Sequence, residues 1–189
     1  NGLVDDAPVG LLSVVPGYGE TLRINGRLQL DGSTPTVTVE EAFVHCAKAM
    51  IRSKLWKDEP VAEQGWAHAG TVTGGAECLD HPAVRAFLAA SPFVTLASVD
   101  ADDAADVSPK GDPVGFVHLL DDGRVAIPDR PGNLRTDTLH NLIDRPELGI
   151  VALVPGSDHV LQISGRATIT DDEALRAELE VNGKVPLAA

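Results

Sequence analysis

Polar and apolar positions along the chain fall mostly into short runs of strand length, with helical spacing confined to a few segments. Residues 9–16 form an apolar run, which predicts a buried strand, and Gly17-Tyr18-Gly19 turns it. Residues 21–30 alternate. Leu22, Ile24 and Leu28 fall on one face and are expected inward, while Arg23, Asn25 and Arg27 fall on the other, with Gly26 as a bulge or close-approach point. After a loop at 31–35, residues 37–44 are rich in β-branched side chains and predict a third strand. Cys46, Met50 and Ile51 then follow helical spacing, so 46–56 is expected to be helical.

Residues 57–75 hold no sustained period and carry Pro60, Gly65, Gly70, Gly74 and Gly75, which predicts a linker or ordered loop. A helix is expected over 80–90, with Asp80 as N-cap and Pro82 in its first turn. Strands follow at 93–99 and from 107. The runs 114–120 and 124–127, joined by Asp121-Asp122-Gly123, predict a hairpin. A helix over 136–143, strands at 148–154 and 160–169, and a helix over 173–180 capped by Asp171 and ended by Asn182-Gly183 complete the series. The chain is thus mainly β with flanking helices.

One stretch repeats. LLSVVPGYGETLRINGRL at 11–28 returns as IVALVPGSDHVLQISGRA at 150–167, an offset of 139, with Val15, Pro16, Gly17, Leu22, Ile24, Gly26 and Arg27 in register with their counterparts. The strand and helix that follow the first copy have no counterpart after the second. The long run before the second copy has none before the first. The expected organisation is therefore the back part of one unit over 1–57, a linker or loop over 58–78, and the front part of a second unit over 79–189.

The densest chemistry lies in SPKGDPVGFVHLLDDGRVAIPDRPGNLRTD, 108–137. A hairpin here brings its two flanking turns together. The shared corner would hold the cations Lys110, Arg130 and Arg135, the neutral donors Ser108 and Asn133, and the backbone amides of Gly111 and Gly132, which lack a Cβ. The following helix would add its unpaired N–H groups. Such a set suits a phosphate dianion. The same residues also fit solvated arginines in ordinary Pro/Gly turns. The formal net charge is −13, so clustered cations carry more information than usual, and a nucleic-acid or anionic-membrane partner is not expected. Two cysteines without metal-ligand spacing, and no apolar run near the roughly 18 residues of a membrane span, lead us to expect a soluble, cytoplasmic protein.

The pattern SPKGDPVGFV, then IPDRPGNLRTDTL, then VPG with ISGRA, resembles the pyridoxamine 5′-phosphate oxidase-like group of FMN-binding split barrels. VEEAFVHCAKAMIRSKLW resembles the C-terminal segment of the same group. The resemblance implies an antiparallel, Greek-key-like split β-barrel, and a homodimer or complementation by a second barrel unit, with FMN between two barrels. It places Ser108, Lys110, Gly111 and Asp112 along the flavin and its ribityl chain, and Arg130, Asn133 and Arg135 at the phosphate, with Asp129 also among the cofactor-binding residues. His45, Lys48, Arg52, Ser53 and Trp56 fall on the partner side, near the ring. It implies hydride transfer to or from flavin N5 on an unknown small-molecule substrate. Other uses of the same groove are a flavin carrier or sensor without turnover, or a barrel for deazaflavin or haem. No catalytic acid or base is assigned, although His45 is the histidine placed nearest the ring. The family's substrate-holding C-terminal Arg/His segment has no match, so vitamin B6 oxidation is not expected.

Overall fold

The structure is a computed structural model describing residues 3–32, 34–56, 66, 70–132 and 135–189. It is built mainly of antiparallel sheet. β1 (Pro8–Val14), β2 (Thr21–Gln29) and β3 (Thr36–His45) form one meander in that order. β4 (Phe93–Val99), β5 (Ala105–Gly111), β8 (Glu147–Leu153) and β9 (Val160–Arg166) form a second sheet in the order β5-β4-β8-β9. Between them in sequence, β6 (His118–Leu119) and β7 (Val125–Ala126) make the expected hairpin, turned at Gly123 with φ of 80°. Its paired strands are much shorter than the apolar runs around them. Four short helices, α1 (Lys48–Ser53), α2 (Pro82–Ala90), α3 (Asp137–Asp144) and α4 (Glu173–Glu178), flank the sheets. Among the described residues no helix is long and apolar enough to cross a membrane.

The sequence repeat is also a structural one. β1 pairs with β2 from Pro8↔Arg27 to Val14↔Thr21, and β8 pairs with β9 from Glu147↔Arg166 to Leu153↔Val160. Every pair of the first hairpin maps onto a pair of the second at the same offset. The turns match as well. Gly17 and Gly156 have φ of 80° and 82°, and the Tyr18 and Ser157 amides donate to the Val15 and Val154 carbonyls. β2 bulges between Asn25 and Gly26, where the glycine is required: a Cβ there would lie 2.0 Å from the Thr38 carbonyl oxygen of β3.

Several local expectations shift. Ser108-Pro109-Lys110-Gly111 is not a turn but the end of β5, paired with Phe93–Leu96. Pro109 is tolerated because β5 is an edge strand of its sheet and needs no N–H on its outer side. α2 is capped by the His81 side chain, which accepts from the Ala83 amide, and Asp80 instead pairs with Arg85. Asp172, not Asp171, caps α4 by accepting from the Leu175 amide. Of the expected linker, residues 57–65 and 67–69 lie outside the described residues. Trp66 is buried edge-on against Phe87, and its indole N–H donates to Ser157.

The main core gathers Val84, Phe87 and Leu88 of α2 with Val94 and Leu96 of β4 and Ala152 of β8. A second, smaller cluster joins the two ends of the chain. Ala49 and Met50 of α1, with Leu55, pack on Phe93, with Leu12, Val14 and Leu153 around them. The β1–β3 meander is laid against β5, and Gly10 sits so close that a Cβ would fall 2.8 Å from the Val107 Cβ. The seam between meander and β5 is where the candidate site forms.

Candidate functional site

Before its bulge β2 presents its faces opposite to the sequence expectation, whereas past the bulge Leu28 is buried as expected. Thr21, Arg23 and Asn25 are buried, while Leu22 is exposed. The alternation was right, but it is the polar side that meets β5. Arg23 is only 2% exposed. Its Nη1 donates to Asp106 Oδ1 at 3.1 Å, and its Nη2 donates to Ser108 Oγ at 3.1 Å. Thr138 of α3 donates to the other Asp106 oxygen at 3.0 Å. Burial pushes the Asp106 carboxyl upward and the Arg23 guanidinium downward from their ordinary ranges, each opposed by the charge of the other. A guanidinium keeps its proton in proteins, so this is an ion pair buried in the seam.

His45, at the end of β3, completes the cluster. Its Nε2 lies 3.1 Å from Arg23 Nη2. Arginine can only donate, so Nε2 accepts and the ring proton resides on Nδ1. Burial first, then the charges of Arg23, Arg135 and Lys110, lower His45 to about 4, with Asp137 opposing them. The ring is therefore neutral at physiological pH and stands in a positive field. Arg135 lies over the Phe43 ring at 4.0 Å and bonds Asp137 at 2.7 Å. Lys110 bonds Asp129 at 2.5 Å.

From α1, two more cations reach across the seam. Lys48 Nζ donates to the Gly132 carbonyl at 2.8 Å. Arg52 Nε donates to the Gly111 carbonyl at 3.0 Å and lies 3.2 Å from Asp112 Oδ1, and its Nη1 reaches the Pro131 carbonyl at 3.4 Å. The structure thus brings Lys48 and Arg52, expected on one side of a groove, against Gly111, Asp112 and the 130–132 turn, expected on the other. Gly111 is needed for this approach, but what it admits is protein. A Cβ would lie 2.3 Å from the Ala49 carbonyl oxygen of α1. Ser53 is buried and donates to the Met50 carbonyl, and Trp56 is exposed just beyond α1.

Arg130 does not join Lys110 and Arg135 around His45. Its Nε bonds Asp112 Oδ2 at 2.6 Å, and its Nη atoms donate to the carbonyls of Leu179 and Lys184 at 2.6 and 2.7 Å. Every nitrogen is committed, so Arg130 ties the turn to the C-terminal segment. Asn133 lies outside the described residues. A cavity of about 830 Å³ runs along β9 and touches the expected set only at Lys110 and Asp129. Among the described residues there is no group of side chains suited to hold a metal ion.

Arg23, Asp106 and Thr138 were missed by sequence reasoning. One signal pointed to Arg23: it is a polar position at which the two repeat copies differ, with Gln162 in the second. A family model described as pyridoxamine 5′-phosphate oxidase matches residues 80–185, more than half of the chain. The match covers Asp106, Ser108, Lys110, Arg130 and Arg135, while Arg23, His45, Lys48 and Arg52 precede it. Searches of curated proteins and of solved structures return no match.

Proposed function

The chain belongs to the pyridoxamine 5′-phosphate oxidase family, whose function is of the flavin-binding, oxidoreductase type, and from that premise we propose that it holds FMN at the seam between the β1–β3 meander and β5. In this reading it exchanges hydride with an unidentified small-molecule substrate. The observation that carries the reading is the gathering of Arg23, Lys110 and Arg135 around a neutral His45, in a chain whose net charge is −13. An acidic protein that concentrates cations at one seam is equipped there for an anion.

The residues present suit such a cofactor. The Arg23 Nε is buried and lacks a hydrogen-bond partner among the described residues, so donor capacity remains in the seam. Lys110 and Arg135 are partly exposed and supply charge for a phosphate. When bound, the flavin supplies hydride exchange at N5. Lys48 and Arg52 hold the 111–112 and 131–132 backbone in place. A nearby fixed cation also favours the anionic reduced ring. His45, neutral with Nδ1 protonated, is a donor rather than a base.

A second barrel unit, from another copy of the chain, is the proposed partner. Cys46 and Cys78 are free thiols, which supports a reducing, cytoplasmic setting.

The purified protein is expected to be yellow and to release FMN, not FAD, on denaturation. Lys110→Ala and Arg135→Ala should each weaken FMN by about tenfold while leaving riboflavin nearly unchanged. Equal losses for both ligands would remove the phosphate assignment. Colourless protein that also fails to take up added FMN would remove the flavin, and a Soret band would point to haem.

A further inference from the structure

A guanidinium has N–H donors and no acceptor, so each bond from Arg23 commits the group it reaches to accepting. Nη1 donates to Asp106, and Nη2 donates to both Ser108 Oγ and His45 Nε2, each at 3.1 Å. A hydroxyl that accepts from an arginine keeps its own proton to donate. An imidazole that accepts at Nε2 carries its proton at Nδ1. One side chain therefore makes donors of two others, and it is not free to turn away from them. Asp106 and Ser108 lie two residues apart on β5, hence on one face, and take two nitrogens of the guanidinium from a single strand. Asp106 is 5% exposed, and its second oxygen accepts from Thr138 of α3. The Phe43 ring, opposite Arg23 in β3, has its centre 5.5 Å from the guanidinium carbon. Donor capacity is left over. Arg23 Nε and the Thr21 hydroxyl are buried without a partner among the described residues. Thr21 lies two residues along the same face of β2, opposite His45. An unmet acceptor, Asn25 Oδ1, also lies on that face, but at the bulge, on the far side of Arg23 from Thr21. Buried polar groups without partners are rare, so unmet donors beside His45 mark a place for an acceptor.

We propose that Arg23 is the positioning residue of the seam: held by Asp106 and Thr138, it fixes His45 and Ser108 as hydrogen-bond donors, so that the site takes its ligand by proton-free oxygen, a carbonyl or an oxyanion, and disfavours an edge presenting N–H or O–H. The proposal rests on the flavin reading only for the identity of that ligand. Donors fixed in advance around an oxygen favour the state in which it carries more negative charge, which for FMN is the reduced one. The matching position in the second copy of the repeat, Gln162, is exposed on β9 and serves as the control.

The first arm of the test needs no ligand. In a long-range proton–nitrogen NMR spectrum of the full chain at neutral pH, His45 should be a single tautomer with its proton on Nδ1, its signals assigned by their loss in His45→Gln. Arg23→Met combined with Asp106→Leu removes both charges of the buried pair and keeps the net charge of the site, and such pairs are often replaced by apolar residues without loss of stability. In this variant His45 should become a mixture of tautomers. Thr138→Val loosens only the Asp106 anchor and should do the same in part, which keeps the test open if the double variant fails to fold. The second arm reads the two-electron reduction potential of bound FMN. The double variant should favour the reduced form about tenfold less, a fall of about 30 mV. Ser108→Ala should lower the potential in the wild type and add nothing in the double variant, since Arg23 acts through it. Gln162→Leu should change neither reading. A proton on Nε2 in the wild type, an unchanged tautomer in the variants, an unchanged potential in the double variant, or an equal Ser108→Ala effect with and without Arg23 would overturn the proposal. A chain that takes up no FMN sinks the cofactor reading instead, and the His45 tautomer then decides this proposal alone.

Discussion

The β1–β2 and β8–β9 hairpins share register, turn and a glycine at the matching position, and they do opposite things with the same two faces. In the second hairpin the apolar face, with Leu161 and Ile163, packs on the main core, and the polar face, with Gln162, is exposed. In the first, the polar face is buried on β5 through Arg23, and the apolar face leaves Leu11 and Leu22 exposed. A hairpin therefore does not determine which of its faces is inside. The neighbour decides, and the residues that differ between the copies record that decision. Arg23 replaces a glutamine because one copy faces Asp106 and the other faces solvent.

The sharpest way to break this comparison is to replace the polar side chain with leucine at one matched position in both copies. Arg23→Leu leaves Asp106 buried without its counter-ion and should cost about 3–5 kcal/mol. Gln162→Leu should stay within about 0.5 kcal/mol, as for most surface changes. Urea denaturation measures both, and equal effects would mean the seam is not a buried ionic contact.

The paired glycines come next. Gly26→Ala drives a Cβ into the Thr38 carbonyl and should cost about 2–3 kcal/mol. Gly165→Ala should change stability by less than about 1 kcal/mol, in the stabilising direction. Similar losses at both sites would mean that β9 already carries a strand.

The smallest effect is a change of slope with pH. His45 is lowered to about 4 in the folded chain, against 6.5 when unfolded. Between those values the unfolded chain binds the proton and the folded chain does not. Its contribution is therefore fully present above about pH 6.5 and is lost as pH falls toward 4. His45→Gln should flatten the fall in melting temperature across that window, read by thermal denaturation at a series of pH values. An unchanged slope would mean that the ring is not held neutral by the seam.

Much of the fold was legible because local chemistry set it. The strand at 93–99, the Asp121-Asp122-Gly123 hairpin and the repeat follow from periodicity and turn residues, which need no knowledge of the rest of the molecule. Ser108–Gly111 read as a turn because proline and glycine usually mark one, and only the sheet order shows that an edge strand can hold them. The cations at 110, 130 and 135 were found as a group, but composition cannot say which carboxylate each will meet. Arg130 found Asp112 and two carbonyls some fifty residues away in sequence, and so turned from the others. Arg23 and Asp106 lie 83 residues apart and become partners only when the meander is laid on β5.

The close approach of α1 to Gly111 has a bearing on how the chain is held as one body. Ala49 against Gly111, Arg23 to Asp106, Arg27 to Asp103 at 2.9 Å and Arg52 to Asp112 all join residues before position 57 to residues after position 100. A proteolytic nick between 57 and 65 would sever the polypeptide without severing these ties. The two fragments would migrate as a single particle under native conditions, and salt alone would not part them, because the Arg23–Asp106 pair is shielded from screening ions.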